Sequence, residues 1–113
     1  MSVDAPSPSV TITNELRAVC KRLWGRGPEN AQVLFADEST VVVLLSGILT
    51  DAERTLLAVD RDPVVGSSRA ALHAAVEPEL RAILETNIGR ATHAFISGVD
   101  LTRDVASFVV TLS

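Results

Sequence analysis

The stretch Thr40-Val41-Val42-Val43-Leu44-Leu45-Ser46-Gly47 constrains the fold of this chain more than any other. Its β-branched and leucine side chains favour an extended strand. Successive side chains of a strand point to opposite faces, so a run apolar at nearly every position offers bulk to both. Both faces are therefore expected to be covered, by a helix layer on one side and by something else on the other. A helix spanning a bilayer needs about 20 apolar residues, and the run through Leu49 is about half that length. It reads as a buried strand.

The segments around it supply the partners. Ala31–Ala36 forms a hairpin with the run across Asp37-Glu38-Ser39, and Ala91–Ser97 forms a second with Val105–Leu112 across Gly98–Asp104. Leu16, Val19, Cys20 and Leu23 recur at helical spacing after a cap at Thr11, Thr13 or Asn14, and Gly25, Gly27 and Pro28 stop that helix. Thr50 and Glu53 have the spacing of a capping box, opening a short helix to about Val59 that buries Leu56 and Leu57. Pro63 suits the first turn of a long helix carrying Val65, Leu72, Ala75, Val76, Leu80, Ile83, Leu84 and Asn87, which Gly89 ends. Pro78 inside it predicts a kink or break near Glu77. The order α-β-β-α-α-β-β predicts an α+β two-layer sandwich, a four-stranded mostly antiparallel sheet with helices on one face. Residues 1–10 read as a flexible N-terminal tail and 11–113 as a single domain.

Composition removes several classes of function. With 47% apolar residues among 113, the chain is not a disordered one. Ten basic against fourteen acidic side chains, net −4, lack the footprint of a nucleic-acid or anionic-membrane binder. Cys20 alone cannot form an internal disulfide, and with His73 and His93 far apart no zinc-ligand spacing occurs. No basic start followed by an apolar stretch marks a signal peptide, and a lone thiol fits the cytoplasm. No cofactor fingerprint, Walker loop or Gly-x-Ser-x-Gly elbow is present, so no cofactor and no catalytic residue is expected.

With the elements placed, Gly25-Arg26-Gly27-Pro28 at a helix end, a hairpin, and then Gly47-Ile48-Leu49-Thr50-Asp51-Ala52-Glu53 resemble the pattern of MpsC-type domains. Pro78-Glu79-Leu80, Gly89, Asp100-Leu101 and the ending Val110-Thr111-Leu112 extend the likeness over about residues 13–113. These are small bacterial proteins named for association with a sodium-translocating, membrane-potential-generating system. The resemblance implies a domain with no established reaction, accessory to transport. The chain departs from the pattern at Gly98, where the family tends to have a histidine, and in lacking Lys-rich helices. His93 is out of register with that histidine and inherits no role.

Each candidate site has a structural reading beside it. Gly25, Arg26 and Gly27 could present amides and a guanidinium to an anion. They follow a helix C-terminus, however, where the dipole is negative and a glycine stop is ordinary. Glu53 could join them as an acid or base, although a helix N-terminus favours its ionised form and a capping role. Cys20 lies on an apolar stripe and reads as a small buried hydrophobe. Asp100, Arg103 and Asp104 read as a solvated hairpin tip. The leading functional expectation is a non-enzymatic, cytosolic accessory or regulatory module with a protein partner at a membrane system and no insertion into the bilayer. The alternative is a small-ligand or anion-binding protein using Gly25–Pro28, with weak hydrolytic activity. Because the helices cover one face of the sheet, a homodimer burying the open face or its edge is expected, with Val42, Leu44 or Phe108 in or near the contact.

Overall fold

In the computed structural model, which describes residues 7–113, Ser7 opens the first helix, α1 (Pro8–Trp24). Its hydroxyl accepts from the Val10 amide at 3.3 Å, and Pro8 takes the first turn, where no amide is needed. The cap thus sits ahead of Thr11, Thr13 and Asn14. Thr13 instead lies inside the helix and donates its hydroxyl back to the Ser9 carbonyl at 2.7 Å. A polar, Pro-containing start conceals this helix, because serine followed by proline is as good a cap signal as a tail signal. The expected tail before Ser7 lies outside the described residues. Ile12, Leu16, Cys20 and Trp24 form the buried stripe, and Gly25 ends the helix in the left-handed conformation at φ 79°.

The first hairpin is β1 (Asn30–Asp37) and β2 (Thr40–Ser46), and the Asp37 carboxylate closes its turn by accepting from the Ser39 amide at 2.8 Å. Two helices follow, α2 (Asp51–Ala58) and α3 (Asp62–Ile88), and then β3 (Thr92–Asp100) and β4 (Val105–Leu112). The element order is the one read from the sequence. All strand pairs are antiparallel, in the order β1-β2-β4-β3. β4 therefore lies between β2 and β3, joining the two hairpins into one sheet.

Two local expectations change. α3 is not broken at Pro78, which sits within 27 continuous helical residues. Ala74, whose carbonyl loses its donor there, is exposed, so water can serve it. Gly98–Asp100, expected in a loop, continue β3 and pair with Ser107, Ala106 and Val105. The remaining turn is short, and Asp104 makes it with φ at 56°.

The core lies between the sheet and the helices. Val41, Val43 and Leu45 of β2 and Ala106, Phe108 and Val110 of β4 pack there against Ile12, Leu16, Val76, Leu80 and Leu84. The opposite face carries four rows: Asp37–Thr40–Thr111, Leu34–Val42–Val109–Ile96, Gln32–Leu44–Ser107–Gly98 and Asn30–Ser46–Val105–Asp100. Within one chain this face stays open, against the expectation that both sides of β2 are covered. Leu34, Leu44 and Ile96 are 48%, 37% and 63% exposed. Phe108, expected near a contact on the open face, is fully buried on the helix face between the rings of His73 and Phe95.

Candidate functional site

The connector from β2 to α2, Gly47-Ile48-Leu49-Thr50, gathers more charged side chains than any other segment described. Gly47 adopts φ 65°, and a Cβ there would lie 2.5 Å from the Glu29 side chain, so only glycine fits. Its amide donates to the Asp104 carbonyl at 3.1 Å. The Asp104 carboxylate accepts from the amides of Ile48 (2.8 Å) and Leu49 (3.1 Å) with one oxygen and from Arg54 with the other. The Ile48 carbonyl accepts from Arg69 at 2.8 Å, and the Leu49 carbonyl from Arg26 at 3.4 Å. Thr50 and Glu53 complete a capping box: the Thr50 hydroxyl accepts from the Glu53 amide, and Glu53 accepts from the Thr50 amide at 2.9 Å.

Arg69 is the deepest of these groups. It comes from α3, is 0% exposed, and holds Glu53 in a two-pronged pair at 2.7 and 2.5 Å. Its guanidinium carbon stands 5.0 Å from the Trp24 ring centroid, and the Nη1 that faces no oxygen lies in this aromatic surrounding. One turn further along α3, His73 stacks on Trp24 and tilts against Phe108, its Nε2 buried without a partner. Burial, reinforced by the Arg69 charge, holds His73 below its ordinary 6.5, so it is neutral at pH 7. Burial pushes the Cys20 thiol up to about 12 against the opposing pull of Arg69, which removes it as a nucleophile. For Glu53, burial raises the carboxyl, but the bonds from Arg69 and Thr50 prevail and keep it below the usual range. A carboxylate whose two oxygens are both engaged and which stays ionised is a cap and an ion-pair partner, not a proton donor.

Of the residues singled out for ligand binding, Arg26 and Glu53 thus reach the same connector, Arg26 at the Leu49 carbonyl and Glu53 at the Thr50 amide. Gly25 is the helix stop, and the Gly27 loop is tied down by Arg17, which donates to the Pro28 carbonyl at 2.9 Å. Arg26 also pairs with Glu29 at 2.8 Å, so its charge is already matched. His93 is exposed, and its carbonyl accepts from Arg81. Asp104 is not a solvated tip. It is a fixed anchor across the two hairpins. Among the described residues no cluster of His, Cys, Asp and Glu suits a metal ion, and no helix is long and apolar enough to cross a membrane.

A family model described as Na+-translocating membrane potential-generating system (MpsC) matches residues 9–113. The chain belongs to the MpsC family. No curated protein and no solved structure matches it. In this MpsC chain the two motifs that carry the resemblance meet in space: Arg26 of Gly-Arg-Gly-Pro bonds the connector that begins Gly-Ile-Leu-Thr-Asp-Ala-Glu. Their charged residues orient one backbone segment. Arg69, His73 and Asp104, which complete the arrangement, are far away in sequence. Arg69 leaves one available signal: it stands at helical spacing between Val65 and His73 on the buried face of α3.

Proposed function

We propose that this MpsC chain is a non-enzymatic accessory or regulatory module of a sodium-translocating, membrane-potential-generating system, acting from the cytoplasm as a homo-oligomer. The link to the membrane system rests on the family. The observation that carries the module reading is the open sheet face. Its row Leu34–Val42–Val109–Ile96 is apolar across all four strands, and of the paired residues in its rows only Asp37 and Asp100, at opposite corners, are charged. A solvated sheet face ordinarily alternates to polar residues, and depletion of charge is the mark of a protein–protein contact. The charges around the connector support the same reading, since Arg26, Glu53, Arg69 and Asp104 already have partners in the chain. An anion at Arg26 would meet the competing carboxylate of Glu29, which already pairs with it.

Two measurements test this. Light scattering at micromolar concentration is expected to give about twice the chain mass, and a monomer contradicts self-association. Lysis of the native cell without detergent is expected to leave the protein in the soluble fraction, with any membrane-bound portion released by a high-salt wash. Recovery only after detergent extraction contradicts the cytoplasmic reading.

A further inference from the structure

We infer that a second copy of the chain docks along the free edge of β1, so that the two sheets continue into one across a two-fold axis at Leu34. The inference rests on the self-association proposed above and names its surface. The two outer strands of the sheet differ. Along β3, a register shift between Thr92 and Phe95 interrupts the ladder, and Arg81 donates to the His93 carbonyl and the Thr92 hydroxyl while lying over the Phe95 ring. β1 has a register shift too, between Phe35 and Asp37 at its turn end, but among the described residues no arginine bonds to this strand. From Asn30 through Ala36 it carries no charge and no proline, the two devices that commonly keep an edge strand from pairing. At the two ends of β2 the Ser39 carbonyl accepts from the Leu112 amide and the Gly47 amide donates to the Asp104 carbonyl, so odd-numbered residues of β2 turn their backbone groups to β4 and even-numbered ones to β1. Their partners Asn30, Gln32 and Leu34 therefore bond to β2, and the backbone groups of Ala31, Val33 and Phe35 turn outward.

A groove of about 330 Å³ runs beside this edge, between Val10 and Thr13 of α1 and the strand from Ala31 to Leu34, and all of its lining residues are uncharged. Leu34 and Phe35, 48% and 44% exposed, flank it on opposite faces of the strand. The edge wall is slightly smaller than a specific dimer ordinarily buries. Eight residues extend about 26 Å, and a sheet with its helix layer stands about 20 Å deep. That outline of about 500 Å², corrugated by side chains, approaches the ~600–1,000 Å² per partner of specific dimers.

Charge selects the register. Residues opposite one another in an antiparallel pair share a face, so the two-fold axis must pass through a residue. An axis at Val33 would set Glu29 of one copy against Asp37 of the other. An axis at Gln32 would set Leu34 against Asn30. At Leu34, leucine meets leucine on the open face and Val33 meets Phe35 on the helix face, with Glu29 and Asp37 apart. The apolar row Ile96–Val109–Val42–Leu34 then runs unbroken into its copy.

The experiment compares the wild type with Leu34→Lys, Leu34→Cys and Ser107→Lys, the last placing a charge in the middle of the open face. Light scattering is expected to give a dimer for wild type and Ser107→Lys and a monomer for Leu34→Lys, with the circular dichroism of Leu34→Lys unchanged because that side chain is half-exposed in the single chain. Leu34→Cys is expected to form a disulfide-linked dimer on mild oxidation, since Leu34 and its copy would oppose each other as a pair that exchanges no hydrogen bonds, about 4.5 Å apart and within disulfide range. Buried Cys20 does not compete. A Leu34→Lys dimer together with a Ser107→Lys monomer overturns the edge in favour of face-to-face stacking and leaves self-association standing. A wild-type monomer overturns both.

Discussion

His73 and Arg69 show how a polar residue survives in this core. Both lie on the buried stripe of α3, one helical turn apart, yet they are handled differently. Arg69 keeps its charge by gripping Glu53 and the Ile48 carbonyl, whereas His73 gives its charge up. The difference sets a pH dependence. The folded-state values of His73 and Glu53 both lie below their ordinary 6.5 and 4.5, so the unfolded chain binds more protons than the native one as pH falls. Stability is thus complete at neutral pH, begins to fall below about 6.5 as unfolded His73 protonates, and falls further below about 4.5 through Glu53. Urea denaturation at neutral pH and about one unit below 6.5 is expected to give a lower midpoint at the acidic pH. His73→Phe, which fills the slot between Trp24 and Phe108 with another ring, is expected to remove most of that difference. An unchanged slope in the variant would mean that another group titrates there.

At the scale of elements, the connector and its anchors hold the two hairpins and α2 together. Thr50 caps α2, and its loss is local: Thr50→Ala is expected to cost about 1 kcal/mol. Asp104 reaches further. It occupies a left-handed turn and supplies the acceptor for two amides of a segment more than fifty residues away. Asp104→Ala leaves those amides without their acceptor, at about 1–3 kcal/mol, and places a Cβ-bearing residue without a local hydrogen bond in the left-handed region, at about 1–2 kcal/mol more. Asp104→Asn retains the acceptor and tolerates the turn, losing only a pair with half-exposed Arg54, so it is expected to fall within about 1 kcal/mol of wild type. Urea midpoints that rank Asp104→Ala below Thr50→Ala, and Asp104→Asn nearest wild type, are the expected outcome. Equal losses for the two Asp104 variants would assign its role to charge rather than to the amide bonds.

For the whole molecule, the asymmetry of the sheet decides the behaviour. One face and one edge are closed by helices and by Arg81, while the other face and the β1 edge keep apolar residues in water. A dimer that covers the β1 edge ties folding to association, so the melting temperature is expected to rise with protein concentration. Because neither the groove nor the Leu34 row is charged, raising the salt is expected to leave the dimer intact, where an association held by surface ion pairs would weaken. A melting temperature independent of concentration would indicate that monomers fold and melt alone.

How much of this was legible in the chain follows from the range over which each signal acts. Helix stops at Gly25 and Gly89, the capping box at Thr50 and Glu53, and the extended run at Val41–Leu45 depend on neighbours a few residues away, and the element order follows from them. The start of α1 at Ser7 and the length of β3 escape such local signals for the same reason: Ser-Pro and Gly98 suit a tail or loop as well as a helix or strand, and packing chose between them. The motif residues Arg26 and Glu53 were visible, but not that both serve one connector. That required Arg69 and Asp104, brought in by the packing of α3 and by the insertion of β4 between β2 and β3. Strand order likewise was decided by tertiary structure. It determined that Val42 and Leu44 face outward while Phe108 is sealed inside, because parity along a strand is written in the sequence, but which parity meets the helices is settled only when the layers pack.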